Sequence, residues 1–187
     1  GAANTGLGYA TLNLNTTGAN NTAVGYAALN ANTTASVGTA VGYRALAANT
    51  TGGSNTAVGN ESMVANTVGY SNTAMGRGSL AANTTGDNHT AIGYQALLSN
   101  TTADSNTAVG HTALTANTTG TANVALGYRA STTNIVGANN TAVGSDALHS
   151  NTASGNTAIG KDALVNNTTA ANNTAVGYIA LGANTTG

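Results

Sequence analysis

The sequence predicts an all-β fold, a parallel β-solenoid (β-roll) of about eleven coils with about 17 residues each. A glycine follows an aliphatic residue eleven times, at a spacing of 17 residues in nine of the ten intervals and 16 between Gly144 and Gly160. This repeat is too short for helix pairs, which need more than about 30 residues. Segments such as T-A-V-G are rich in β-branched residues and end at glycine, as strands do. Stacked coils would place equivalent strands about 4.8 Å apart in a rod roughly 50 Å long.

Positions are numbered here from that glycine, which is position 0 and is expected to form a corner, because a positive φ is accessible to glycine. Position −1 is aliphatic in all eleven coils, so we expect it to face the interior. Since side chains alternate along a strand, the Thr at −3 would also point inward and position −2 outward. On a second strand, the Leu or Met at +4 and the Thr at +8 would face inward. The predicted core row is Val24, Val41, Val58, Ile92, Val109, Val143, Ile159 and Val176.

Position −2 is small in every coil, with Ala in ten and Gly6 in the first. In this register it faces outward, where a solvated position would vary from coil to coil. A uniform small column indicates a flat face that meets a partner chain, a lattice such as ice, or another filament. Crowding inside a tight coil is the alternative interpretation. The candidate packing face is Ala23, Ala40, Ala57, Ala74, Ala91, Ala108, Ala125, Ala142, Ala158 and Ala175.

Asn occupies position +7 in all eleven coils, and two interpretations stay open. Its side-chain amides can form a ladder along the rod, or the N-x-[ST] sequons there can accept glycans. The candidates for both roles are Asn15, Asn32, Asn49, Asn83, Asn100, Asn117, Asn167 and Asn184, and further sequons begin at Asn20, Asn88, Asn139 and Asn172. Asn66, Asn134 and Asn151 lack a sequon and keep the Asn, which favours the structural ladder.

Charge excludes several classes of function. The net charge is −1 with only four Lys and Arg residues, so nothing resembles a nucleic-acid-binding surface. No apolar run approaches the roughly 18 residues of a membrane span, and without Cys there are no thiolate metal ligands. Oppositely charged residues at +2 of adjacent coils, Arg44 with Glu61 and Arg129 with Asp146, should lie side by side.

No catalytic constellation is apparent, and we expect neither an enzyme nor a bound cofactor or metal. His89, His111 and His149 occupy three different positions of the repeat and are expected to be exposed. Asp87 and Asp104 share position +11 in adjacent coils, where solvated corners are favoured over a weak cation site.

Tyrosines recur at position +1 in six coils. Tyr9, Tyr26 and Tyr43 occupy consecutive coils, and stacking between coils is favoured over an aromatic strip that binds sugars such as cell-surface glycans.

Residues 1–187 are predicted to form a single repeat rod. Gly1 and Gly187 occupy the same phase of the repeat, position +10. We therefore expect a segment of a longer fibre or a subunit that stacks end to end, since open solenoid ends expose strand edges.

The repeat N-T-A-V-G-Y-x-A-L-x-x-N-T-T-G, as in Asn21–Ala35, resembles two kinds of surface-fibre repeat. One is the head of trimeric autotransporter adhesins, in which A-V/I-G-x-x-A units form β-rolls of a homotrimer. The other is the repeat region of phage tail fibres that end in a self-cleaving chaperone domain. The resemblance covers essentially the whole chain and implies a homotrimer or filament on a cell surface or virion.

Three functions follow as hypotheses. The leading one is an extracellular structural or adhesive fibre module that trimerises or polymerises. The second is an ice-binding solenoid, but in the predicted register the Thr residues at −3 and +8 point inward, and only a shift of register by one residue would reverse this. The third is a glycosylated extracellular fibril.

Overall fold

The computed structural model describes residues 1–186, so Gly187, the predicted second end of the rod, lies outside the described residues. The fold is all-β, and it is a β-solenoid as predicted. Eleven three-residue strands form one parallel sheet in sequence order, each pairing with the next at equivalent positions of the repeat. The strands are β1 (Thr5–Leu7), β2 (Thr22–Val24), β3 (Thr39–Val41), β4 (Thr56–Val58), β5 (Thr73–Met75), β6 (Thr90–Ile92), β7 (Thr107–Val109), β8 (Val124–Leu126), β9 (Thr141–Val143), β10 (Thr157–Ile159) and β11 (Thr174–Val176).

The rest of each coil consists of turns that stack by hydrogen bonds between coils. The Leu29 amide donates to the Ala45 carbonyl at 3.1 Å and the Ala31 amide to the Ala47 carbonyl at 3.0 Å. These bonds satisfy backbone groups that have no partner within their own coil. The glycine at position 0 has φ between 128° and 138° in every coil, which confirms the predicted corner.

The core is a narrow column in which one large residue per coil is flanked by small ones. Leu or Met at +4 fills the centre. The small residues that flank it are the Ala at −2 and the residue at +3. Burying one such leucine contributes about 1.5–3 kcal/mol. The large central residues are Leu29, Leu46, Met63, Leu80, Leu97, Leu114, Leu148 and Leu164.

The predicted core row at position −1 is wrong in its direction. Residues at −1 form one continuous in-register row, but it lies on the outer surface of the sheet, with Ile92 37 % and Val176 68 % exposed. The residues predicted for the core that lie on this outer surface are Val24, Val41, Val58, Ile92, Val109, Val143, Ile159 and Val176. Position −3 points outward with it, and Thr at +8 is also partly or fully exposed outside the core.

The predicted alanine packing face is wrong for the same reason, because the alternation of the strand is shifted by one residue. The alanines at −2 point inward and are fully buried, apart from Ala175 in the last strand, which is 4 % exposed. They are Ala23, Ala40, Ala57, Ala74, Ala91, Ala108, Ala125, Ala142, Ala158 and Ala175. Space decides the direction. Leucine at +4 already fills the interior, so only a methyl group fits on the facing strand, which is the crowding interpretation of the uniform column.

Candidate functional site

The outer surface of the sheet carries two parallel rows of side chains, which we name the threonine–aliphatic face. One row is position −3, Thr in ten coils and Val124 in the eighth, and the other is the aliphatic row at −1. Equivalent residues pair directly, as Thr90 does with Thr107 and Ile92 with Val109. The face therefore repeats along the rod with the strand spacing of about 4.8 Å.

No formal charge lies on the threonine–aliphatic face. All nine Lys, Arg, Asp and Glu residues of the chain occupy positions +1, +2 or +11. The aliphatic row is partly open to solvent, with Met75 43 % and Ile159 40 % exposed and Val41 and Val58 half-buried. A strip about 50 Å long and about 10 Å wide covers roughly 500 Å² with its threonine and aliphatic rows together, which is within the range of the largest patches of monomeric proteins, and such patches are often functional.

The asparagines at +7 form the predicted ladder inside the coil. In nine of the ten steps the Nδ2 of one Asn donates to the Oδ1 of the Asn in the preceding coil, at 2.8–3.3 Å. The amides of the first ten coils also donate within their own coil to the carbonyl of a nearby corner residue, as Asn83 does to Gly86 at 2.9 Å. The column thus ties the corners together along the axis.

Burial removes most of these asparagines as glycan acceptors. Asn32, Asn49, Asn83, Asn100, Asn117 and Asn167 are essentially inaccessible, and only the end members Asn15 and Asn184 are partly open. The sequons that begin at position +12 differ, because Asn20, Asn88, Asn139 and Asn172 are exposed. Glycosylation stays a prediction for this second set.

A second polar column, at position −4, escaped the sequence analysis. Nine coils carry Asn there, and its side-chain oxygen accepts the backbone N–H of position −4 in the next coil, as Asn106 Oδ1 does from Asn123 at 2.9 Å. Its Nδ2 donates to the corner carbonyl at +10, as in Asn106 to Gly120 at 2.8 Å. The near-invariance of this Asn was the available signal, since a solvated polar position would vary.

His89 takes the place of an Asn in this second column, so the prediction that it is exposed is wrong. It is 2 % exposed. Its Nδ1 accepts the Asn106 N–H at 3.1 Å, and its Nε2 lies 2.6 Å from the Ala103 carbonyl. These two contacts select the neutral tautomer with the proton on Nε2. Desolvation by burial lowers the pKa of His89, although both hydrogen bonds and the nearby Asp104 and Asp87 oppose the shift.

We predict that stability falls in mild acid because of His89. Its pKa is lower in the fold than the ordinary 6.5 of the unfolded chain, so the unfolded state binds the proton more tightly. The free energy of unfolding should be constant above about pH 6.5, decline as the pH falls below that value, and level off below the folded pKa. Urea unfolding at a series of pH values measures this.

His89→Asn is the matched control, because it restores the residue that most coils carry at this position. The variant keeps His111 and His149, so any decline below pH 6.5 that it shares with the unmodified protein belongs to other groups. Equal pH profiles for the two proteins would contradict the prediction.

The three consecutive tyrosines at +1, Tyr9, Tyr26 and Tyr43, stack on one another, as favoured from the sequence. Ring centroids are 5.2 Å apart for Tyr9 and Tyr26 and 5.3 Å for Tyr26 and Tyr43, with nearly parallel planes. Both faces of Tyr26 are therefore covered by neighbouring rings. The ring faces inside the stack are not open to a sugar, while the three rings remain 46–73 % exposed, so the aromatic strip for cell-surface glycans stays a prediction.

The predicted charge pairs meet across adjacent coils. Arg44 Nη1 lies 3.4 Å from Glu61 Oε1, and Arg129 Nε lies 3.3 Å from Asp146 Oδ1. As exposed pairs they contribute roughly 0–1 kcal/mol each, so they report the register of the coils and add little stability.

The two aspartates at position +11 each accept a hydrogen bond from a backbone N–H of the preceding coil. Asp104 Oδ1 accepts the Asp87 N–H at 2.9 Å, and Asp87 Oδ1 accepts the Tyr70 N–H at 2.8 Å. Each carboxylate thus has a structural use that continues the hydrogen bonding between coils.

Residues 1–186 contain no helix that is long and apolar enough to cross a membrane. No protein-family model, curated protein or solved structure matches this chain.

Proposed function

We propose that this chain is a structural fibre module, a stiff solenoid rod that associates with copies of itself through the threonine–aliphatic face. The observation that carries the proposal is the outward direction of an uncharged face that is continuous over all eleven strands. The largest exposed patch of a protein is often functional, which supports the proposal. The resemblance of the repeat to adhesin heads and phage tail fibres supports the same function and an extracellular, cell-surface or virion location.

The repeat distance of the face selects its occupant. Rows of side chains spaced by about 4.8 Å interdigitate along the whole rod only with a surface of the same period. Another copy of this rod has the same period, because it has the same repeat. A face without charges suits contact with itself, because no like charges oppose one another when two copies meet. Assembly as a homotrimer or as laterally paired filaments would bury the aliphatic row from β1 to β11.

Lysine substitutions in the aliphatic row test the proposal. Ile92→Lys combined with Val109→Lys places two charges on the face without touching the core. Sedimentation velocity should show the unmodified protein as an oligomer and this variant as a monomer with the same circular dichroism spectrum, because an unpaired charge buried in an interface is strongly unfavourable.

Thr102→Lys combined with Thr119→Lys is the matched control. These exposed threonines belong to the same two coils but lie at position +9, away from the sheet. The control should remain an oligomer. A monomeric unmodified protein at its highest soluble concentration, or dissociation by both pairs of substitutions alike, would contradict the proposal.

A second candidate, ice binding, gains support from the direction of the threonine row. The objection from sequence was that Thr at −3 points inward, and in the structure it points outward beside the aliphatic row. Regular rows of hydroxyl and methyl groups suit an ordered layer of water. Against this, the face is uneven: Met75, Leu126 and Ile92 vary the aliphatic row, and Val124 interrupts the threonines. An adaptable protein partner tolerates such variation better than a rigid lattice does.

Thermal hysteresis separates the two candidates. Under the fibre proposal the protein should self-associate and show no hysteresis. A monomer that shows hysteresis, lost in Thr90→Lys but kept in Thr102→Lys, would favour ice binding and overturn the fibre proposal.

A further inference from the structure

One step of the solenoid differs from all the others, the step from the eighth coil (Gly127) to the ninth (Gly144). The eighth coil has Ser131 where ten coils have Leu or Met at +4, and the Ser131 Oγ is buried with no hydrogen-bond partner. The ninth coil is one residue shorter than the others, and Ala153 directly follows Thr152 at the corner where the other coils have one more residue.

The asparagine ladder is interrupted at this step. Asn134 Oδ1 is buried without a partner. Asn151 Nδ2 donates to the Ala153 carbonyl at 2.8 Å, as other ladder asparagines donate to their own corner, but it does not donate to Asn134. The other nine steps all have this side-chain bond. The gap in the ladder coincides with the shortened corner of the ninth coil.

The backbone is interrupted at the same corner. In the other nine steps the amide at +8 donates to the carbonyl at +8 of the next coil, as Thr50 does to Thr67 at 2.9 Å. Within residues 1–186, the Ile135 amide has no such backbone acceptor. Isoleucine also lacks the hydroxyl with which Thr67 reaches the Thr84 carbonyl at 3.0 Å, so a third bond is missing.

The opposite side of the same step is intact. Strands β8 and β9 pair in register, the Gly144 amide donates to the Leu126 carbonyl at 2.8 Å, and the Asp146 amide donates to the Tyr128 carbonyl at 2.9 Å. Arg129 and Asp146 bridge the two coils on this side as well. The defect is therefore confined to the side of the step that holds residues 131–135, and the sheet continues past it.

We propose that this corner is a joint of the rod, which opens ahead of the other steps while the sheet acts as its hinge and which admits water to Ser131 and Asn134. In a solenoid each coil contacts only its neighbours, so the weakest interface between coils decides where the rod opens first. A rod with one such joint bends at a fixed place, between its first eight coils and its last three. The joint is independent of the function proposed above.

Amide hydrogen exchange tests the joint, with the step from the third to the fourth coil as the matched control. Three coils precede the control step and three coils follow the joint, so fraying from the two ends of the rod affects both steps equally. The amides of Ser131 and Thr133 are bonded across the joint, to Ala147 and His149, as those of Leu46 and Ala48 are bonded to Ser62 and Val64. After correction for intrinsic rates, we expect Ser131 and Thr133 to exchange about tenfold faster or more.

Repair of the joint completes the test. Insertion of one Thr between Thr152 and Ala153 restores the common coil length and should slow exchange at Ser131 and Thr133 to the rates of Leu46 and Ala48, which stay unchanged. Ser131→Leu repairs the core from the other side and serves if the insertion does not fold. Equal protection of the two steps in the unmodified protein would overturn the joint, as would folded repair variants that leave exchange at Ser131 and Thr133 unaltered.

Discussion

Gly93→Ala is expected to unfold the middle of the rod. The free energy of unfolding should fall by about 4 kcal/mol or more, a loss that few point mutations cause. Gly93 has φ of +128°, which side-chain-bearing residues rarely adopt. A Cβ added there would overlap the carbonyl oxygen of Gly110 and lie 2.7 Å from its carbonyl carbon. Both atoms belong to the backbone of the next coil, so relief requires the two coils to separate. The thermal unfolding midpoint, followed by circular dichroism, measures the loss.

Gly78→Ala is the matched control. Gly78 also has a positive φ, +64°, but other residue types occupy its position +2 in every other coil at similar angles. An added Cβ there meets only the side chains of Gln95 at 3.6 Å and Leu98 at 3.7 Å, both ordinary contacts. This variant should change stability by no more than about 1 kcal/mol, because the cost of the left-handed conformation and the reduced entropy of the unfolded chain oppose each other. Similar midpoints for the two variants would refute the close approach of the corner glycines.

Asn83→Ala is expected to destabilise the protein by about 2–4 kcal/mol, because it removes three buried hydrogen bonds at once. Asn83 Nδ2 donates to Asn66 Oδ1 at 2.8 Å and to the Gly86 carbonyl at 2.9 Å, and Asn83 Oδ1 accepts from Asn100 Nδ2 at 2.9 Å. After substitution, Asn66 Oδ1 keeps no partner in a place that water does not reach. Chemical denaturation gives the change in unfolding free energy.

Thr85→Ala, two residues further along, is the control for this substitution. Thr85 is exposed, so its loss should change the unfolding free energy by less than about 0.5 kcal/mol. A tolerated Asn83→Ala would show that the ladder is not needed for stability. A glycan requirement at this column would instead predict a folded variant that has lost mass, which intact-protein mass spectrometry detects.

The period of the repeat determined the fold class, the register of the coils and the pairing of charged residues, because stacking identical turns leaves each residue beside its equivalent one repeat away. Arg44 with Glu61 and Tyr9 with Tyr26 followed from this counting without knowledge of which way a side chain points. The Asn column at +7 followed as well, since three coils keep the Asn without a sequon.

The period of the repeat does not determine which way the side chains point. Alternation along a three-residue strand fixes that Thr22 and Val24 share a face opposite Ala23, but it does not say which face is inside. The usual preference of aliphatic residues for the interior gave the wrong choice. It also hid the polar interior, because His89 and the Asn residues at −4 look like surface residues until the two hydrogen bonds of each are seen.

The linear sequence alone was enough for the architecture of this rod, since a repeat of 17 residues with one aliphatic–glycine step has one economical way to stack. Only the folded coil decided what lies inside it. Its interior is so narrow that a single leucine per coil, such as Leu97, leaves room for no more than methyl groups and ordered amides opposite. The aliphatic side chains at position −1 are thereby forced outward, where they form one row of the threonine–aliphatic face.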